Sequence, residues 1–330
     1  MRNVILKRVI TMTMKELAKL ANTSVSTVSK AFRDADDVSQ ETKEHIFDIA
    51  KQHGCYGKFY QGKYHKKVIA LVCPEIAGNY YSIFVQILQK LIEDAGGICL
   101  ISTTEFNNQK QAELIEYYAS YLQVDGLIVF GLKETLKKGY DIPIVSLFAS
   151  KDCNVDSVNV DMESAMWEAV ELLLQYGHRQ IAFISEKLTL GKMELFQKIM
   201  AENKLDADLT AESDQRFEQA GIDGINTLLQ LKKPFTAVIC AYDHIAFGAI
   251  KQLKRNGFRV PQDCSVIGMD NISMDNFSDP SLTSIDTKPQ EVCSIAWDLL
   301  QKKMENKYFK AKQSILIRSG LILRESVQKR

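Results

Sequence analysis

Proline is scarce in this 330-residue chain: there are six, and none precedes Pro74. Nothing of that kind interrupts a helix in the first part of the sequence. No apolar run approaches the ~18 residues a membrane-spanning helix needs. The segment Met1–Met12 is apolar, but Arg2, Lys7 and Arg8 cut it into stretches too short for the core of a secretory leader. A cytoplasmic protein is expected. Seven cysteines form an odd set with no C-x-x-C pair, which reads as reduced core thiols. The five histidines are scattered without metal-ligand spacing; His178, in a helix-to-strand turn, suits a hydrogen-bonding role. There is no P-loop, no G-x-G-x-x-G, no H-E-x-x-H and no G-x-S-x-G in the core. No catalytic constellation or cofactor signature is found, so an enzyme is not expected.

Net charge is also lacking: 41 Lys/Arg balance 41 Asp/Glu. That zero conceals an asymmetry. Residues 1–67 hold 13 basic and 7 acidic side chains, a net of +6, and the remainder carries −6. A basic head on an acidic body is the footprint of a chain that presents one end to a polyanion.

Residues 13–54 read as three short helices. Thr13 can cap the first, with Glu16 completing a capping box, and Leu17, Leu20 and Ala21 form its apolar stripe. Asn22 suits the left-handed turn that follows. Ser24 caps a second helix, Val25–Phe32, in which Val28 and Ala31 face the core. Ser39 caps a third with Ile46, Phe47, Ile49 and Ala50 inward and Gly54 as its stop. Two helices of about eight residues joined by a three- or four-residue turn make a helix-turn-helix, whose second helix enters the major groove N-terminal end first.

From Val68 the pattern alternates short apolar strands (VIALVC, GICLIS, GLIVFG, IPIVSLF, SVNV, QIAFIS, TAVICA, CSVIGM) with amphipathic helices. That argues for parallel, doubly wound sheets. The strands are too many for one sheet at this length, so two similar subdomains with a ligand cleft between them are expected.

The stretch TMKELAKLANTSVSTVSKAFRDADDVS, Thr13–Ser39, closely resembles the head of the lactose/galactose/purine repressor family. VDGLIVFG (Val124–Gly131), GHRQIAFIS (Gly177–Ser185), RVPQDCSVIGMDNISM (Arg259–Met274) and DPSLTSI (Asp279–Ile285) resemble its periplasmic-binding-protein-like core, in the family's order and at its spacing. The resemblance implies an all-α helix-turn-helix head (13–58), a hinge (59–67) and an α/β core (68–330) of two doubly wound subdomains. It places subdomain one at about 68–159 and 288–315, and subdomain two at about 160–287 and 316–330. Residues 1–12 are expected to be a disordered extension or a mis-called start, with Met12 and Met14 as alternative starts.

The same resemblance implies a homodimer on an inverted repeat of double-stranded operator DNA. Val25, Ser26 and Lys30 fall at base-reading positions; Lys donates to guanine O6 and N7. Thr13, Ser24, Thr27 and Ser29 suit phosphate contacts, which set register. The hinge departs from the family's Tyr-x-Pro-Asn pattern, and a gapless reading puts Tyr64 at its minor-groove wedge position. In the cleft, Tyr80 and Tyr81 follow the first strand, and Phe148 stands where an Asp is common. Lys192 replaces an Arg clamp, while Tyr242-Asp243 stands for an Asn-Asp pair. Asp270 completes the expected effector contacts. The function implied is a transcriptional regulator, most simply a repressor of carbohydrate or related catabolic genes, governed by a sugar or sugar derivative. A solute-binding protein or a sugar-modifying enzyme on the same core are the rivals.

Overall fold

The computed structural model describes residues 12–59, 66–136, 138–306, 309 and 311–330. The chain divides into two units, 1–67 and 68–330.

The head consists of α1 (Met14–Leu20), α2 (Val25–Phe32), α3 (Gln40–Gln52) and the short α4 (Tyr56–Phe59). Its helix starts follow from side-chain chemistry. Thr13 and Glu16 form a reciprocal capping box on α1, and Ser24 and Ser39 accept from the backbone N–H of Thr27 and Thr42. Each such cap stabilises its helix by about 1 kcal/mol. Asn22 takes the left-handed turn at φ 50°. Leu17, Val28, Ala31, Phe32, Ile46 and Ala50 form the core, and Phe32 sits at 5.1 Å from Phe47 and 5.8 Å from both Tyr56 and Phe59.

Three expectations need correction. Leu20 is 49% exposed, and Ala18 takes the inward position with Leu17 and Ala21, because residues 17, 18 and 21 share one side of the helix and residue 20 lies off it. Met12 belongs to the head rather than to an extension: it is buried, with the Cys55 thiol 3.6 Å from its sulfur. Phe59, assigned to the hinge, is buried in the same core.

The core unit contains two six-stranded sheets. The first comprises β1 (Val68–Cys73), β2 (Ile98–Thr103), β3 (Gly126–Phe130), β4 (Ile144–Leu147), β5 (Asp156–Asp161) and β11 (Ser314–Arg318). The second comprises β6 (Ile181–Glu186), β7 (Thr210–Ser213), β8 (Ala237–Cys240), β9 (Ser265–Met269), β10 (Thr283–Asp286) and β12 (Gly320–Ile322). Helices α5 (Asn79–Asp94), α6 (Asn108–Glu116), α7 (Met162–Gln175), α8 (Leu190–Glu202), α9 (Phe217–Gln230), α10 (Asp243–Arg255) and α11 (Pro289–Glu305) link them.

The strand orders are β2-β1-β3-β4-β5-β11 and β7-β6-β8-β9-β10-β12. All described pairings are parallel except β10 with β12. Each sheet therefore reverses direction once, beside its first strand, and such a switch point opens a crevice at the carboxyl ends of the strands. Alternation along β1 fills both faces of the first sheet: Ile69, Leu71 and Cys73 pack in one cluster, Ala70 and Val72 in the other.

Four strands, β7, β10, β11 and β12, lie outside the eight apolar runs read from the sequence. β7 reads TAES and lies at an edge, so it carries no apolar run; β10 is only four residues long. The chain passes between the sheets after β5, after β10 and between β11 and β12. The last passage lies at Ser319, a few residues later than expected, because Leu316–Arg318 still pair with β5.

Helices α9 and α10 touch backbone to backbone. A Cβ on Gly248 would lie 1.9 Å from the Glu218 carbonyl oxygen, and one on Gly221 would lie 2.0 Å from that of Ile245. This closeness sets the start of both helices at the cleft. Gly248→Ala is expected to destabilise the core by about 3 kcal/mol or more, as overpacking against backbone does. Its thermal midpoint should fall clearly, and an unchanged midpoint in a calorimetric scan would refute the close packing.

Candidate functional site

The carboxyl ends of both sheets face one cavity of about 670 Å³. Subdomain one supplies Glu75 and Gly78 from the loop after β1, Tyr80 and Tyr81 in the first turn of α5, Phe106 after β2, Phe148 after β4 and Asn159 in β5. Subdomain two supplies Glu186 and Lys192 after β6, Arg216 and Phe217 after β7, Tyr242 and His244 after β8, and Asp270 after β9.

One side of the cavity is aromatic. Tyr80 lies 5.0 Å from Tyr81, 5.1 Å from Phe84 and 5.7 Å from Phe148, centroid to centroid. Burial raises the Tyr80 and Tyr81 phenols well above their ordinary range and that of Tyr242 to about 12. All three stay protonated near neutral pH. The Tyr242 hydroxyl accepts from the Phe217 N–H at 2.9 Å, which holds Phe217 at φ 57°.

Arg216 bridges the two halves. Its guanidinium donates twice to Glu75, at 2.9 and 2.6 Å, and lies 4.6 Å from the Phe217 ring centroid. The bonded carboxylate raises its already high pKa further. Lys192 donates to the Ala241 carbonyl at 2.6 Å. The His244 Nδ1 pairs with Glu218 at 2.6 Å.

Four buried polar atoms of residues in the cavity wall have no hydrogen-bond partner: Asn159 Oδ1, Arg216 Nε (4.0 Å from Glu186 Oε1), His244 Nε2 and Asp270 Oδ1. An unmet buried polar atom is costly, about 1–3 kcal/mol in protein mutational data. All four belong to residues that line this one cavity, which makes it the candidate site for a polar ligand.

Six of the seven expected effector residues, Tyr80, Tyr81, Phe148, Lys192, Tyr242 and Asp270, line this cavity. Asp243 does not. Its carboxylate turns behind β9, accepting from Ser284 Oγ at 2.6 Å and the Ile272 N–H at 3.1 Å, so tight against Gly268 that a Cβ there would be 2.2 Å away. It braces the Asp270 loop instead. Arg216, Glu75, Asn159 and His244 were missed. Arg216 follows the unrecognised β7; Asn159 sits inside an apolar strand; His244 gave no metal spacing. His178 is structural: buried, with Nδ1 2.9 Å from Thr236 Oγ1 and Nε2 3.1 Å from the Gln328 carbonyl.

In the head, Ser24, Val25 and Ser26 are exposed at the start of α2, with Thr27, Ser29 and Lys30 half-buried along it. Thr13 is exposed at the start of α1. Lys30 forms an ion pair with Asp37. Tyr64 lies outside the described residues.

The family of bacterial regulatory proteins, lacI family, matches residues 13–56, and a periplasmic binding protein-like domain matches 170–327. The chain is 30% identical over 332 residues to the HTH-type transcriptional repressor CytR of Escherichia coli strain K12, covering 96% of each. The chain belongs to the lacI family. Another member, the HTH-type transcriptional repressor PurR of Histophilus somni, is 28% identical over 96% of this chain and 99% of its own. Among solved structures of the family, the fold is similar to the lac repressor dimer bound to operator and the anti-inducer ONPF (TM-score 0.74, 20% identity, 96% and 99% of the chains). It is also similar to the transcriptional regulator CelR in complex with cellobiose (TM-score 0.66, 21% identity, 96% and 99%). Both subdomains and the head are thus arranged on the lacI-family plan of a helix-turn-helix and a two-sheet core.

Burial raises the Asp270 carboxyl to about 7, opposed by the Lys192 ammonium and aided by the negative Asp275. In the unfolded chain the group ionises near 3.8. Its stabilising proton is therefore fully held below pH 4 and lost as pH rises through 7. The thermal midpoint of the native protein minus that of Asp270→Asn should fall by a few degrees from pH 5 to pH 8. A difference that is flat with pH would show that Asp270 is ionised throughout.

Proposed function

We propose that this lacI-family protein is a cytoplasmic homodimeric regulator that binds an inverted repeat of operator DNA and is controlled by a sugar or sugar derivative in the cleft. The observation that carries the DNA reading is Val25. It is a large apolar residue left 45% exposed at the entering end of α2, beside Ser26 and one turn from Lys30. An apolar side chain there suits a thymine methyl, and Lys30 suits guanine. Thr13, Ser24, Thr27 and Ser29 are read as phosphate contacts. The capping bond of Ser24 is compatible with that, since a hydroxyl can accept and donate together; Thr13, whose hydroxyl donates to the Glu16 carboxylate at 2.8 Å, would have to turn that proton to the phosphate. Tyr64 is read as the hinge residue that meets the minor groove.

The sugar reading rests on the cleft. Aromatic faces suit the apolar face of a ring, and Asn159 Oδ1 and Asp270 Oδ1 are acceptors that await hydroxyl donors. Asn159 belongs to subdomain one and Asp270 to subdomain two, so one ligand that reaches both favours the closed core. Differential binding of this kind is what shifts a two-state equilibrium. Closure then alters how two heads meet adjacent half-sites.

Selection of sites from random double-stranded DNA, followed by anisotropy titration at several salt concentrations, tests the reading. An inverted repeat with a steep salt slope is expected. Lys30→Ala should weaken binding to the selected site roughly tenfold or more. Enrichment of no site, or of a site without two-fold symmetry, contradicts it.

A further inference from the structure

The loop between α2 and α3, Arg33–Val38, carries three carboxylates, Asp34, Asp36 and Asp37. It is fixed in place. The Asp34 and Ala35 N–H groups donate to the carbonyls of Ala31 and Lys30 at 3.1 and 3.0 Å, and Val38 is buried in the head core. The Asp34 carboxylate pairs at 2.6 Å with Lys43 of α3, whose side chain is buried. Asp37 is thus held beside the last turn of α2, where its carboxylate takes the Lys30 ammonium. The two side chains are 57% and 43% exposed, so their pairing is not forced by packing. Ser26 and Lys30 are four residues apart on α2, hence on one face. The acidic partner therefore lies on the face assigned to base contact.

We infer that Asp37 is a specificity-determining residue of the head: it sheathes Lys30 in an intramolecular ion pair that only a matching base opens. The inference rests on the reading of Lys30 as a base contact. On DNA that offers no acceptor at the right place, Lys30 gains little by leaving Asp37, and the pair persists. On the operator, guanine O6 and N7 replace the carboxylate, and the cost of opening the pair is subtracted from specific binding alone. The hydrogen bond from Lys30 holds the Asp37 carboxyl below its ordinary range, so the sheath is present throughout the neutral pH range and is not a proton switch. An exposed pair is weak in water, so the opening cost is small.

The test compares Asp37→Asn, Lys30→Met and the double variant in the full chain. Each is titrated against the selected operator and against random-sequence duplex at two salt concentrations. Removal of a surface negative charge strengthens binding to any DNA, and that part is common to both duplexes. Beyond it, Asp37→Asn should raise the operator-to-random affinity ratio about two- to fivefold, and the rise should vanish when Lys30 is Met. A ratio unmoved by Asp37→Asn, while Lys30→Met lowers operator affinity, overturns the sheath but leaves Lys30 as a base contact. A ratio raised equally with and without Lys30 also overturns it, because Asp37 would then act on DNA directly. Operator binding insensitive to Lys30→Met removes both readings together.

Discussion

The constraint on which the core depends is that its two sheets are joined by three chain passages lying side by side. The chain leaves the first sheet at Asp161, which caps the next helix by accepting from the Ser164 N–H at 3.0 Å. It returns after Asp286, and crosses again at Ser319, whose hydroxyl donates to the Asp286 carbonyl at 2.6 Å. Two of the passages are thus tied to each other. Halves joined in this way are held together along one shared seam. The cavity lies at the ends of the strands that the seam brings face to face. Every residue of its wall inherits its position from that arrangement.

Opposed strand ends also explain why the cavity is polar where it must be sealed. Glu75 and Arg216 reach across from opposite halves and form a two-point ion pair. Removing one partner from a partly buried pair leaves the other unmatched, which is the costly case. The bridge thus favours one approach of the halves before any ligand arrives. The four unpartnered atoms beside it oppose that, since closure without a ligand leaves them unmet. In the proposed regulation, a hydroxylated ring would satisfy them and stack against the Tyr80 and Phe148 side, so that ligand binding biases the position of the halves.

Much of this was legible in the sequence where a local rule governs. The three helix caps of the head depend on a hydroxyl and the next few backbone amides, so Thr13, Ser24 and Ser39 could be read directly. Apolar runs disclosed the central strands, and six cavity residues followed from family positions. What the sequence hid depends on packing between distant segments. Leu20 looked like part of an apolar stripe, but the side of α1 that packs is the one carrying Leu17, Ala18 and Ala21. Asp243 looked like a ligand carboxylate, but contacts to Ser284 and Ile272 from another strand and loop draw it inward. β7 has no apolar pattern because it is an edge, and with it Arg216 went unseen. Val25 is the reverse case: an apolar residue left on the surface at the start of α2, where the proposed function places a DNA base.

The central claim is that occupancy of this one cavity governs DNA affinity. The most direct measurement is the operator dissociation constant at fixed salt across a panel of sugars and sugar derivatives, for the native protein and for Asn159→Ala. The account predicts that an active compound shifts the native constant by about tenfold, within the usual range of coupling between two sites, and that the shift is largely lost in the variant. A compound that shifts both proteins equally would place the control elsewhere and contradict it.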